Sequence, residues 1–147
     1  MHFLVINGPN LNLLGLREPS IYGKESYATL VATVEKHAEK IGVTVEVFQS
    51  NHEGVIVDKI QEAYQKAEGI IINPAAYTHT SIAILDALKA VALPAVEVHL
   101  SKVEQREAFR QISYAGLACR HTITGQGIAG YVQAMDYLKK SLETAEG

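Results

Sequence analysis

Glu97 and His99 are the residues of this sequence best suited to proton transfer. They alternate with Val96 and Val98 in an apolar run, so in a β-strand both polar side chains point to one face. A carboxylate beside an imidazole fixes the tautomer of the ring and favours its charged form. The pair predicts a general acid, although His99 taken alone is also compatible with a hydrogen-bonded histidine of the core.

A second reactive group lies in the polar loop of residues 7–23. Two prolines and three glycines exclude a helix there, and the loop also carries Arg17 and Tyr22. Lowering the pKa of a phenol from about 10 to about 7 requires roughly 4 kcal/mol. One cation about 4 Å away, at an effective dielectric of 20, supplies roughly that energy. A tyrosinate base is therefore feasible, and a packing tyrosine on a surface loop is the alternative.

More polar residues follow the apolar run of residues 69–73. Asn73 precedes Pro74, and His79 lies between two threonines. Asn73 could simply shape a turn, and Ser81 could simply cap a helix. His79 has no such structural explanation, which favours a binding role for this segment.

Composition limits the class of partner. The chain has 147 residues, of which 48% are hydrophobic, so we expect one domain spanning residues 1–147. A net charge of −3, without a basic stripe or tail, argues against binding to nucleic acid or to a membrane surface. With Cys119 as the single cysteine and no pattern of a signal peptide at the start, we expect a cytoplasmic protein.

Short apolar runs alternate with segments of helical period. The runs are rich in Val and Ile, as strands buried on both faces should be. The predicted strands are residues 2–7, 43–49, 69–73, 95–99 and 121–124. The predicted helices are residues 27–41, 54–67, 80–91 and 128–142, the first with Ser26 as N-cap and Gly42 as its stop.

This alternation predicts an α/β fold with a five-stranded parallel sheet, doubly wound in the flavodoxin-like order 2-1-3-4-5. In such a sheet, ligands bind at the carboxyl ends of the strands where the strand order reverses, between strands 1 and 3. The loops at residues 8–23 and 73–81, with the end of strand 4 at 97–101, should therefore form one crevice.

Several other chemistries lack their sequence patterns. Neither a Gly-Lys-Ser/Thr phosphate loop nor a Gly-x-Gly-x-x-Gly turn follows strand 1. No Gly-x-Ser-x-Gly elbow is present. The dispersed histidines come without a closely spaced ligand pair, which disfavours a metal site. The remaining set of tyrosine, arginine, histidine and amides suits proton abstraction beside a carbonyl, followed by loss of a hydroxyl from a small anion.

In these residues the chain resembles the type II 3-dehydroquinate dehydratases, over almost its whole length. The matching motifs are GPNLNLLGLREPSIYG (8–23), QSN (49–51), INPAAYTHTS (72–81), EVHLS (97–101), REAFR (106–110) and GQG (125–127). The resemblance implies conversion of 3-dehydroquinate to 3-dehydroshikimate in the shikimate pathway, without a metal, an imine or another cofactor.

The resemblance also implies a role for each matching residue. Tyr22 would be the base, Arg17 would favour its phenolate, and Asn12 would help to hold a water near the enolate oxygen. His99 would protonate the departing hydroxyl, oriented by Glu97. The implied substrate contacts are Asn73 with the backbone amides of Leu100 and Ser101 for the carboxylate, and His79, Asp86 and Arg110 for the ring hydroxyls.

A homo-oligomer is the last implication, because the family forms trimers that assemble into dodecamers, with Asp86 reaching a neighbouring site. The sequence adds a separate expectation: Asp86 lies mid-helix among apolar residues and should be buried. A structural hydrogen bond within the same chain is the alternative. For the whole protein, the alternative function is a non-catalytic flavodoxin-like binding module.

Overall fold

The computed structural model describes residues 1–16 and 25–146 as five strands and four α-helices. The strands are β1 (His2–Asn7), β2 (Thr44–Gln49), β3 (Gly69–Asn73), β4 (Ala95–His99) and β5 (His121–Thr124). The helices are α1 (Tyr27–Ile41), α2 (Glu53–Ala63), α3 (Ile82–Val91) and α4 (Ala129–Glu146). Arg17 and Tyr22 lie outside the described residues.

All neighbouring strands are parallel, and their order is β2-β1-β3-β4-β5. The predicted fold class and strand order are therefore confirmed. The carboxyl ends of β1 and β3 are adjacent, because Asn7 pairs in register with Asn73.

Alternation along the strands divides the core into two layers. Phe3 and Val5 pack in a cluster with residues of α1 and α4. Leu4 and Ile6 point to the other face and pack with residues of α2 and α3. This period of two also decides which layer each polar side chain at a strand end enters.

The helices begin and end close to the predicted positions, and the differences have local causes. α3 starts at Ile82 because the hydroxyl of Ser81 accepts a hydrogen bond from the backbone N–H of Ile84, which makes Ser81 the N-cap. α2 ends at Ala63, four residues before its predicted end, and Gln65 takes a left-handed φ of 64°. The N-cap Ser26 and the left-handed stop at Gly42 are as predicted.

The connection from β4 to β5 contains no α-helix. It consists of loops and three short 3-10 helices at Val103–Gln105, Ala108–Arg110 and Ala115–Ala118. Two further 3-10 helices, Leu11–Leu13 and Ala75–His79, follow β1 and β3. None of the described helices combines the length and apolar character that crossing a bilayer requires.

Candidate active site

The loops that leave β1 and β3 are in direct contact. The backbone N–H of Gly8 donates to the carbonyl oxygen of Asn73 at 2.8 Å. A Cβ atom at position 8 would lie 2.4 Å from the carbonyl oxygen of Pro74, so only glycine permits this approach. The contact holds together the two strand ends where the strand order reverses.

A cavity of about 330 Å³ opens beside this contact, a size within the usual range of small-molecule sites. Polar side chains from three strand ends and the β4–β5 connection line it together with apolar residues of the first loop. Its polar lining residues are Asn10, Asn73, His79, His99, Ser101, Arg106 and Arg110. The predicted convergence of the three loops is observed for their described residues, which in the first loop end at residue 16.

His99 and Glu97 form a buried pair at the end of β4. Nε2 of His99 lies 2.8 Å from Oε2 of Glu97, and the Glu97 side chain is completely buried. Because a carboxylate only accepts hydrogen bonds, Nε2 carries the proton of this bond. Nδ1 of His99 is then the ring nitrogen left to exchange a proton with a ligand.

Three hydroxyl groups also donate to the Glu97 carboxylate. Oε2 accepts from Ser113 at 2.6 Å and from Thr78. Oε1 accepts from Thr122 at 3.1 Å. Thr122 is the register partner of Glu97 on β5, so the sheet itself places this donor.

The surroundings of Glu97 determine its charge. Burial is the largest single effect and raises the pKa of the carboxyl. The hydrogen bond and charge interaction with His99 lower this pKa, and so do the hydrogen bonds from Ser113 and Thr78. Together these effects outweigh burial and bring the pKa from 4.5 down to about 2. Glu97 is therefore a carboxylate at neutral pH and a fixed acceptor for Nε2 of His99.

His79 and Arg110 line the cavity from the ends of two 3-10 helices, Ala75–His79 and Ala108–Arg110. Nδ1 of His79 is 2.7 Å from the carbonyl oxygen of Ile112, which can only accept, so Nε2 of the neutral ring is an acceptor for a ligand hydroxyl. Nε of Arg110 is buried and forms an ion pair with Oε2 of Glu107 at 2.8 Å. The geometry of this contact is not that of a hydrogen bond. Both side chains line the cavity.

The loop after β4 carries Leu100 and Ser101, and two glycines form backbone hydrogen bonds with it. Gly125 donates to the carbonyl oxygen of Ser101 at 3.1 Å, and Gly127 donates to that of Leu100 at 3.1 Å. Both glycines have positive φ, 74° and 59°. The GQG motif thus fixes the backbone that presents Leu100 and Ser101 to the cavity.

Asn12 does not line the cavity in the described part of the chain. It is exposed, and its Oδ1 accepts from Nε2 of Gln49 at 3.2 Å. Gln49 also donates to the carbonyl oxygen of Gly8 at 3.0 Å. Asn51 accepts from the backbone N–H of Asn10 at 3.1 Å, so the QSN motif secures the first loop.

Asp86 is exposed on α3, and it does not line the cavity. The prediction that this carboxylate is buried is wrong for the single chain. It lies one turn after Ile82, which is 55% exposed, so the apolar neighbours that suggested burial are partly on the surface themselves.

Sequence reasoning missed several residues of the site. Arg106 lines the cavity, and in the sequence it is indicated only as the first residue of the REAFR motif. Thr78 lies in a quoted motif, and Thr122 could have been found from the register of β4 and β5. Ser113 has no sequence signal, because it reaches Glu97 from an irregular segment.

Two other chemistries receive no support from the described residues. No group of three or more His, Cys, Asp or Glu side chains could hold a metal ion within residues 1–16 and 25–146. Burial, with the nearby Glu97 carboxylate, raises the pKa of the Cys119 thiol to about 12. This thiol is therefore no thiolate nucleophile at neutral pH.

The chain is similar in sequence to a family of known proteins. A family model described as dehydroquinase class II matches residues 1–139. A 3-dehydroquinate dehydratase of Lachnospira eligens is 53% identical over 138 residues, 92% of this chain and 94% of the relative. A catabolic 3-dehydroquinase of Aspergillus clavatus is 53% identical over 135 residues, 92% of this chain and 90% of the relative.

Solved structures agree with these sequence matches. The crystal structure of a type II dehydroquinase from Butyrivibrio crossotus superposes with a TM-score of 0.93 at 52% identity, covering 95% of this chain and 97% of that one. A 3-dehydroquinate dehydratase-like protein from Bifidobacterium longum gives a TM-score of 0.71 at 29% identity, covering 97% of this chain and 98% of that one.

Proposed function

This chain belongs to the class II dehydroquinase family, and we propose that it dehydrates 3-dehydroquinate to 3-dehydroshikimate in the shikimate pathway. The observation that carries the proposal is the buried pair of Glu97 and His99 at the wall of a polar cavity. A fixed acid beside ligand-binding groups is what loss of a hydroxyl from a small anion requires.

The first step of the proposed reaction is removal of a proton from the carbon next to the ketone. Tyr22 takes this proton as a phenolate, and Arg17 stabilises both the phenolate and the negative charge that develops on the substrate. Asn12 helps to hold a water near the enolate oxygen. These three roles follow from the resemblance of residues 8–23 to the family motif.

The second step is loss of the hydroxyl group. Protonated His99 gives a proton to the leaving oxygen as the carbon–oxygen bond breaks, and the electron pair of the enolate forms the new double bond. Since Nε2 donates to Glu97, the proton comes from Nδ1. The Glu97 carboxylate stabilises the imidazolium before the transfer and holds the ring afterwards.

Substrate binding divides between two groups of residues. We assign the substrate carboxylate to Asn73 and the backbone amides of Leu100 and Ser101. His79, with Nε2 as an acceptor, and Arg110 contact the ring hydroxyls. Asp86 contacts a ring hydroxyl in a neighbouring subunit of a trimer, and four trimers form a dodecamer. Its exposure in the single chain leaves Asp86 available for such a contact.

The deciding experiment is incubation with 3-dehydroquinate while ultraviolet absorbance of the conjugated enone is followed. The absorbance should rise with enzyme and should stay flat with the Tyr22→Phe variant. Activity should survive both a chelator and borohydride with substrate present, since the proposed steps use neither a metal nor an imine. No absorbance change with the wild-type chain would favour the non-catalytic binding module.

A further inference from the structure

A buried chain of hydrogen bonds lies behind Asn73, on the sheet face covered by α1 and α4. Nδ2 of Asn73 donates to the hydroxyl of Tyr131 at 3.1 Å. That hydroxyl donates to Oδ1 of Asn7 at 2.6 Å. Tyr131 and Asn7 are completely buried, and Asn73 is 3% exposed. Only Asn73 of these three lines the cavity.

The direction of these hydrogen bonds is set by the backbone. The N–H of Ala75 donates to Oδ1 of Asn73 at 3.1 Å, the geometry of an Asx turn. A backbone N–H can only donate, so Oδ1 must face Ala75 and Nδ2 must face Tyr131. The hydroxyl oxygen of Tyr131 therefore accepts from Asn73, and its hydrogen goes to Asn7.

Tyr131 keeps the hydrogen that this arrangement needs. Burial raises the pKa of its hydroxyl above the usual value, so the group stays protonated at neutral pH. One hydrogen of Nδ2 is used on Tyr131, and no described residue accepts the other. That second N–H belongs to a side chain that lines the cavity.

We propose that Tyr131 is a positioning residue that locks the amide of Asn73 with an N–H directed at the ligand, which makes this wall of the cavity selective for a carboxylate. The inference rests on the proposed function, in which Asn73 contacts the substrate carboxylate. Without the acceptor oxygen of Tyr131, the buried N–H of Asn73 loses its partner, and the Ala75 N–H alone is left to hold the amide.

The main test is Tyr131→Phe, which keeps the ring and removes the hydroxyl. We expect KM for 3-dehydroquinate to rise about 3- to 10-fold, the range that one neutral hydrogen bond supplies, while kcat stays within about twofold. Tyr137→Phe is the matched control, because Tyr137 lies on the same helix and stacks on His121. Its KM should equal that of the wild type.

Two further variants distinguish positioning from a structural effect. In an Asn73→Ala background, which itself raises KM, Tyr131→Phe should raise KM no further, since the amide on which it acts is gone. Asn7→Ala keeps Tyr131 intact but removes the acceptor of its hydrogen. The buried Tyr131 hydroxyl would then lack an acceptor, which favours a turned amide with Oδ1 of Asn73 facing it, and KM should rise as in Tyr131→Phe. This variant decides the matter if Tyr131→Phe does not fold.

An unchanged KM in folded, active Tyr131→Phe would overturn the inference and leave the proposed function intact. An equal rise of KM in the Asn73→Ala background would also overturn it, because Tyr131 would then act through another group. A wild-type chain inactive on 3-dehydroquinate would instead overturn the proposed function, and the inference with it.

Discussion

Glu97 and His99 are two residues apart on one strand, and Nε2 of the ring lies 2.8 Å from a fully buried carboxylate oxygen. The strand alone puts both side chains on one face, but their hydrogen bond also depends on what surrounds the carboxylate. The hydrogen bond and charge interaction with His99, followed by the hydroxyls of Ser113 and Thr78, keep the carboxylate ionised against the effect of burial, so the ring has a fixed acceptor that orients it.

The first prediction concerns turnover. His99→Ala should lower kcat by about 100- to 10,000-fold through loss of the acid, with a much smaller change in KM. Glu97→Gln should lower kcat less, by about 10- to 100-fold, because the ring keeps a neutral partner. Steady-state kinetics measure both. Glu104→Gln is the control, since this exposed carboxylate does not line the cavity. Near-normal turnover in His99→Ala would mean that the leaving group has another proton source.

The second prediction is a pH dependence of stability. The pKa of Glu97 is lower in the folded chain, about 2, than its ordinary value of 4.5. Its contribution to the free energy of unfolding is therefore complete above about pH 4.5 and is lost as the pH falls towards 2. Urea unfolding across this window should show a steeper loss for the wild type than for Glu97→Gln. If the free energies of unfolding of the two proteins fell in parallel with pH, Glu97 would not titrate in this window.

The third prediction concerns the two loop residues outside the described part of the chain. Tyr22→Phe and Arg17→Ala should each depress kcat far more than they raise KM, because both residues act on charge that develops during the reaction. Steady-state kinetics with 3-dehydroquinate measure kcat and KM of both variants. Weakened binding with turnover preserved would contradict their roles.

The fourth prediction tests the contact of the two loops at the strand ends. Gly8→Ala places a Cβ 2.4 Å from the carbonyl oxygen of Pro74, and relieving this overlap should cost about 1–3 kcal/mol of stability and raise KM. Gly54→Ala on α2 is the matched control, because its Cβ would meet nothing within 4 Å. The control should be neutral or slightly stabilising. Equal thermal stability of the two variants would show that the loops separate freely.

The fifth prediction asks whether Asp86 serves a neighbouring subunit. Tyr22→Phe and Asp86→Ala should each be nearly inactive alone. After unfolding and refolding together, mixed trimers would contain some sites with both native residues, so activity should rise well above the sum of the parents. A mixture that assembles but stays inactive would place the action of Asp86 within its own subunit.

The local pattern of the sequence was sufficient to predict the strands and helices and their order. Strands buried on both faces appear as continuous apolar runs, and caps such as Ser26 and Gly42 mark where a helix begins and ends. The position of polar residues after β1, β3 and β4 then predicted where the cavity lies, since parallel strands bring these ends to one edge.

The surroundings of each site residue were decided only by the tertiary structure. Ser113 and Tyr131 reach Glu97 and Asn73 from distant segments, and no spacing in the sequence encodes such contacts. The burial of Asp86 was misjudged for the same reason, because helical periodicity shows which residues share a face but not what covers that face. The sequence by itself determined the strands, their order and the edge of the sheet that holds the site. Folding decided the direction of the hydrogen bonds there, because that depends on which donors meet in three dimensions.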